Sequence, residues 1–218
     1  MKQGILTILI ASALSITSCT AQSPKGELTK PSKQKDLSHL KTAYFASGCF
    51  WCVEAVFESV EGVEEAISGY AGGHTDNPTY QSIGTGTTGH AESVQVFYDS
   101  TVVSFETLVN VYYGSHDPTT VNGQHPDYGT QYRSILFYQN AYEKAIAENY
   151  KETLDATGDY SQPIATEIIR LKTFYPAEDY HQDYEKLHPE NPYVQKVSIP
   201  RLRTFQAKFP ELLKDHLH

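Results

Sequence analysis

Thr42-Ala43-Tyr44-Phe45-Ala46-Ser47-Gly48-Cys49-Phe50-Trp51-Cys52-Val53-Glu54-Ala55-Val56-Phe57-Glu58-Ser59-Val60 is a strand running through a glycine into a helix. Thr42 to Ser47 is short and apolar. From Trp51 to Val60 the apolar residues Val53, Val56, Phe57 and Val60 recur at i, i+3, i+4 and i+7, one stripe of an amphipathic helix. Cys49 falls in the first turn, where unpaired N–H groups and the helix dipole favour a thiolate. Cys52 lies three residues on along the same face, within reach of a disulfide after modest adjustment.

Outward from this stretch the chain alternates irregularly between strands and helices. Val63 to Tyr70 reads as a strand ended by Gly72-Gly73 and a turn at Asn77-Pro78. Ala91 to Tyr98 alternates strictly, with Glu92, Val94, Val96 and Tyr98 on one face. Helices are expected at Phe105–Tyr113 and Ala141–Thr157, the second stopping at Gly158, with a long polar loop from His116 to Thr130. Further strands are expected at Tyr132–Tyr138 and Ile164–Leu171, a short helix at Asp179–Leu187, and a last turn or helix after Pro200. This order argues for an α/β fold, a two-layer α+β domain rather than a repeat or barrel.

The N-terminus has a different character. Residues 1–18 carry Lys2 and the apolar run Ile5 to Ile16, the pattern of a secretion signal too short to span a membrane comfortably. Ile16-Thr17-Ser18-Cys19 resembles a bacterial lipobox, which would make Cys19 a lipid attachment site. Residues 19–40, polar and rich in Ser, Lys and Pro, read as a flexible tether, leaving residues 41–218 as the working domain. The expected location is therefore the bacterial cell envelope, as an exported, membrane-anchored lipoprotein. Residues 1–40 hold five of the 17 basic and two of the 26 acidic side chains, so residues 41–218 stand at a formal −12. So acidic a domain is a poor partner for nucleic acid or anionic lipid, and contact with a membrane is expected only through the anchor. Met1 is the single methionine, consistent with a mature protein that works among oxidants.

The remaining motifs narrow the chemistry. Zinc requires four ligands, and the chain has no second C-x-x-C. His74, His90, His116 and His125 have no recognisable ligand spacing, so no metal is expected. Gly84-Thr85-Gly86-Thr87-Thr88-Gly89 matches a dinucleotide-binding pattern but leads into an alternating strand where a helix is needed. Glu92, turned inward, would lose water and hold its proton near neutrality, unless it is a frayed surface residue. Tyr80 and Tyr132 can donate phenolic hydrogen bonds, but they are two of 16 tyrosines. The cysteine pair alone fits packing, thioredoxin-like disulfide exchange or a nucleophile with a resolving partner.

Four segments together resemble one family. Gly48-Cys49-Phe50-Trp51, Asn77-Pro78-Thr79-Tyr80, Gly89-His90-Ala91-Glu92 and Asp127-Tyr128-Gly129-Thr130-Gln131-Tyr132-Arg133-Ser134 look like the signature blocks of peptide methionine sulfoxide reductase A, over residues 41 to 200. The resemblance implies a mixed-sheet, ferredoxin-like sandwich and an oxidoreductase that repairs the S epimer of methionine sulfoxide, in proteins and in free form, under oxidative stress. It casts Cys49 as the attacking thiolate, Phe50 and Trp51 as the wall around the substrate methyl, and Glu92 as the acid. Tyr80 and Tyr132 would assist Glu92, and Asp127 would support the polar network. No cofactor is implied. Many members of the family have Gly where this chain has Cys52 and recycle through a distant C-terminal cysteine, which is missing here. A Cys49–Cys52 disulfide, reduced by thioredoxin or a thioredoxin-like protein (dithiothreitol in vitro), is the resulting expectation. The partners expected are oxidised proteins and that reductant, with the enzyme acting as a monomer. Repair of the R epimer is not expected, because no reductase B block follows. A general disulfide oxidoreductase and an inactive lipoprotein are the rival readings; neither uses Glu92 with the tyrosines. Mass spectrometry of the mature N-terminus is expected to find a lipid mass on Cys19, and an unmodified residue there would rule out the anchor.

Overall fold

The computed structural model describes residues 35–215. The expected signal at 1–18, Cys19 and most of the tether at 19–40 lie outside the described residues. In chain order the elements are β1 (Lys41–Ser47), α1 (Phe50–Glu58), β2 (Val63–Ala71), α2 (Tyr80–Ile83), β3 (Ala91–Tyr98), α3 (Phe105–Gly114), β4 (Gly123–Gln124), β5 (Asp127–Tyr128), β6 (Ser134–Tyr138), α4 (Ala141–Thr157), β7 (Glu167–Arg170), β8 (Phe174–Pro176), α5 (Tyr184–Leu187) and α6 (Ile199–Lys208). Among the described residues no helix is long and apolar enough to cross a membrane.

Six strands form one sheet in the order β7-β6-β1-β3-β2-β8. The inner four, β6-β1-β3-β2, are mutually antiparallel, and β1, α1, β2, β3, α3 and β6 follow one another as in a ferredoxin-like sandwich. β7 joins parallel to β6 and β8 antiparallel to β2, so the sheet is mixed. The alternation of β3 comes out as expected: Glu92, Val94, Val96 and Tyr98 are all buried. Val94, Val96, Ala43 and Phe45 pack with Val53, Val56 and Phe57 of α1 in the main core. Phe45 stacks on Phe57 at 4.7 Å and on Tyr112 of α3 at 5.3 Å. Burying each such ring contributes about 1.5–3 kcal/mol. The opposite face carries a smaller cluster of Tyr44, Ala46, Ala71, Ala91, Ile135 and Phe137.

Several local expectations are corrected. The strand expected at Tyr132–Tyr138 begins at Ser134, because Thr130–Tyr132 forms a 3-10 turn. That expected at Ile164–Leu171 shortens to Glu167–Arg170, since the Ala165 N–H is taken by the Pro118 carbonyl. The helix expected at Asp179–Leu187 splits into a 3-10 turn at Asp179–His181 and α5, broken where Asp183 takes φ +53°. α2, β8 and the β4–β5 hairpin are additions. The glycine run 84–89 is a loop between α2 and β3, with no helix after it.

Two glycines fix the frame around the thiols. Gly48 has φ +86°, and a Cβ there would sit 2.7 Å from Gln124 Cβ, so the turn into α1 accepts only glycine. Gly69 lies under β8, where a Cβ would meet Phe174 at 2.3 Å and the Tyr175 carbonyl at 2.5 Å. The neighbouring Ser68 carbonyl accepts from the Ala177 N–H at 2.9 Å and from Gln182 Nε2 at 3.1 Å, so the edge of β2 holds the whole segment from β8 to Asp183. Gly69→Ala is expected to lower unfolding free energy by about 1–3 kcal/mol in urea titrations, through overpacking against backbone that cannot yield. It is also expected to shift Trp51 emission to the red as that segment loosens.

Candidate active site

Cys49 is the N-cap residue of α1 and Cys52 lies inside its first turn; both are buried and neither is in a disulfide. The end of β3 lies beside them because β3 pairs with β1 on one side and β2 on the other, with Glu92 opposite Tyr70. Glu92 is 1% exposed, and its Oε2 accepts the Phe50 N–H at 3.0 Å. This hydrogen bond uses one of the first N–H groups of the helix, which have no partner within it. Burial, opposed by the Phe50 N–H and reinforced by Asp127 and Cys52, pushes the Glu92 carboxyl up to about 8. It therefore carries a proton at neutral pH.

The two tyrosines converge on the same point. Tyr80, 36% exposed, lies over Phe50 with ring centroids 6.2 Å apart, and burial with the Glu92 and Cys49 charges pushes its phenol up to about 12. Tyr132 is raised by burial and by Glu92, Tyr80, Asp127 and Cys49. Both remain neutral donors across the physiological range. Asp127, on β5, is raised by burial and accepts a short hydrogen bond from the Tyr193 hydroxyl. Trp51 is partly exposed, while Phe50 is wholly buried among Tyr70, Tyr80 and His181. Of these two rings, Trp51 is the one that solvent reaches. All the residues expected from the sequence as catalytic, resolving or substrate-binding thus gather at one end of the sheet; Cys19 alone lies outside the described residues.

The charge distribution in the thiol pair differs from the helix-dipole expectation. Each thiol acts on the acidity of the other. Burial pushes Cys49 up, and Cys52 and Glu92 add to the effect. Cys52 is lowered to about 7 by the hydrogen bond from Cys49 and, against burial, by Arg201, Ser198 and Tyr193. The pair's thiolate therefore rests on Cys52, with the proton on Cys49. Burial of Cys49 and its hydrogen bond to Cys52 set this order, and Arg201 adds to it.

Further groups complete the site without having been expected. His181 is buried beneath Phe50 and Trp51, and its Nδ1 accepts from Trp51 Nε1 at 3.1 Å. Trp51 is also stacked on Tyr184 at 3.7 Å. Glu178 accepts from the Tyr70 hydroxyl at 2.7 Å and the Tyr80 N–H at 3.1 Å. Tyr193 lies between Asp127 and Cys52, its hydroxyl 4.0 Å from Cys52 Sγ. Glu54, on α1, accepts from the Ser68 hydroxyl and from the Asp183 N–H at 2.5 Å, which ties the His181–Tyr184 segment to the helix. The one sequence signal for any of these was Asn191-Pro192, a turn before Tyr193.

Of the four histidines weighed as metal ligands, His90 is held between the Gly73 N–H and the Thr75 carbonyl, and His116 between the Tyr112 carbonyl and the Ser134 hydroxyl. Among the described residues, Glu54, Glu58 and Asp183 are the group with ligand-like spacing. Lys186 already fills it, 2.6 Å from Glu58 and 2.9 Å from Asp183.

The chain resembles known proteins over the span that holds this site. A family model described as peptide methionine sulfoxide reductase matches residues 41–213. A protein of Natronomonas pharaonis named peptide methionine sulfoxide reductase MsrA is 50% identical over 170 residues, covering 78% of this chain and 96% of its own. Its namesake from Pasteurella multocida is 46% identical over 172 residues, 79% of this chain and 98% of its own. Among solved structures, methionine sulfoxide reductase A of Corynebacterium diphtheriae matches with a TM-score of 0.62 and 38% identity, over 70% of this chain and 76% of that one. Reduced Mxr1 from Saccharomyces cerevisiae matches with a TM-score of 0.67 and 34% identity, over 72% and 91%.

The buried carboxyls predict a pH dependence of stability. Glu54 and Glu92 are each pushed up to about 8, first by burial, so the folded chain holds two protons that the unfolded chain releases near its ordinary carboxylate range. Their contribution is full below about pH 4.5 and is lost as pH rises to 8. Urea midpoints are expected to fall over that window, and to fall less in Glu54→Gln. An identical slope in wild type and variant would remove Glu54 from the account.

Proposed function

The chain belongs to the peptide methionine sulfoxide reductase family, and from that membership we propose that it reduces methionine S-sulfoxide, in proteins and in free form, through Cys49 and Cys52. The observation that carries this reading is the protonated Glu92, hydrogen-bonded to the first N–H of the helix that Cys49 caps. A general acid and a nucleophile are thereby fixed on a single backbone turn.

The cycle balances within these groups. Cys49 passes its proton to the Cys52 thiolate along their hydrogen bond, and its sulfur attacks the sulfoxide sulfur. Glu92 protonates the sulfoxide oxygen while Tyr80 and Tyr132 hold it. The hydroxyl passes from the substrate sulfur to Cys49 Sγ as the S–O bond and the newly formed S–S bond break, so methionine leaves with a restored thioether and Cys49 becomes a sulfenic acid. Glu92, now ionised, takes the Cys52 proton. The Cys52 thiolate attacks Cys49 Sγ, and hydroxide leaves, recovering that proton as water. A dithiol protein of the thioredoxin type reduces the resulting Cys49–Cys52 disulfide and becomes a disulfide itself, returning two protons to the site. Trp51, with Phe50 behind it, supplies the apolar wall for the methyl group, and Asp127 orients Tyr193. We further propose that residues 1–18 direct export and that the tether at 19–40, through Cys19, holds the domain at the bacterial envelope.

The enzyme is expected to form methionine from the S but not the R sulfoxide with dithiothreitol as reductant; no product from the S form would refute the reading. Glu92→Gln is expected to lower kcat about 100-fold or more, in line with loss of a positioned acid, and to abolish the fall in rate above pH 8. Cys52→Ser is expected to yield one methionine per enzyme when thioredoxin is the sole reductant.

A further inference from the structure

Arg201, on α6, donates from Nε to the Ser115 carbonyl at 2.9 Å, from Nη1 to the Ser47 carbonyl at 2.9 Å, and from Nη2 to the Ser47 hydroxyl at 3.2 Å. All three acceptors are neutral oxygens. A partly buried cation satisfied in this way keeps its whole charge, which is unfavourable unless an anion forms nearby. The guanidinium faces a cavity of about 210 Å³ whose walls also carry Cys52, Asp127, Tyr193, His116 and Gln124. Cys52, and not Cys49, is among the residues that line it. Burial first and then Arg201 push His116 down to about 3, so it adds no positive charge. Tyr193 is neutral, Glu92 is protonated below about 8, and Asp127, which accepts from Tyr193, shares the Arg201 charge with Cys52. His125 lies on the exposed rim. The permanent cation at this wall is Arg201.

We propose that Arg201 is a positioning residue for Cys52: held by Ser47 and Ser115 against the shared cavity, its guanidinium keeps the Cys52 sulfur anionic at rest and makes it the leaving sulfur when the Cys49–Cys52 disulfide is reduced. The second half rests on the resolving role proposed above for Cys52. In that step the thiolate of a dithiol reductant bonds to Cys49 Sγ, the S–S bond breaks, and its electron pair goes to Cys52 Sγ beside the guanidinium. The reductant's second thiol then attacks its own bound sulfur, releasing Cys49 and leaving the reductant as a disulfide. Thiol exchange favours departure of the more acidic thiol, so reductant is directed to Cys49.

Two measurements test this. In a Cys49→Ser background, where the serine hydroxyl can still donate, Cys52 is titrated by its ultraviolet thiolate absorbance. Arg201→Gln is expected to raise the midpoint by about one unit, while Arg201→Lys, which keeps the charge but loses the planar fork, moves it by less than half as much. An unmoved midpoint in Arg201→Gln, or equal shifts in the two variants, would overturn the electrostatic role. That titration requires no disulfide, so it stands even if Cys52 does not resolve Cys49. The second measurement uses the native chain: the oxidised enzyme is pulsed with a monothiol, quenched in acid, and the adduct mapped by mass spectrometry. The adduct is expected on Cys49, and an adduct on Cys52 would overturn the leaving-sulfur assignment.

Discussion

The hydrogen bond from the Phe50 N–H to Glu92 holds the site together. It joins the start of α1 to the end of β3, and so fixes the distance between the acid and the sulfur at the same helix end. It also governs charge. A carboxylate here would repel a thiolate on either cysteine; a protonated carboxyl does not, and can still offer its O–H to a substrate oxygen. The N–H works against burial by favouring the ionised form, which keeps the acid within reach of neutral pH. Burial alone would leave a proton too tightly held to give away.

Around that bond the enzyme sets neutral donors against a single mobile negative charge. Tyr80, Tyr132 and Tyr193 keep their protons, His181 is held as an acceptor for Trp51, and His116 is neutral. Glu92 is the nearby group whose acidity lies close to that of Cys52. An acidic domain tolerates this arrangement in part because burial neutralises two of its inner carboxyls, Glu54 and Glu92.

Much of this was legible in the sequence where local pattern and tertiary demand agree. The strand–glycine–helix turn, the alternation of β3 and the long helix ending at Gly158 were readable because burial follows a period of two or 3.6 there. The inward carboxyl of Glu92 was legible for the same reason. His181, Tyr193 and Arg201 were not. His181 lies in a segment that holds its shape by hydrogen-bonding to Ser68 and Glu54, and Asp183 breaks the helical period with a left-handed residue. The acidity order of the two cysteines could not be read from a C-x-x-C motif, because it depends on how deeply each is buried and on a cation that arrives from α6.

The Arg201–Ser47 pair bridges 154 positions of chain, Trp51–His181 bridges 130, and Phe50–Glu92 bridges 42. Contacts of such separation require the loops between them to close, at an entropic cost that local contacts do not carry. An incomplete or partly opened chain therefore carries two ordinary thiols, mostly protonated at neutral pH and without a partner acid. Reactivity is in this sense a readout of the finished topology. In the folded chain α6 brings Arg201 against Ser47 and Ser115, and the acidity of Cys52 depends on that docking.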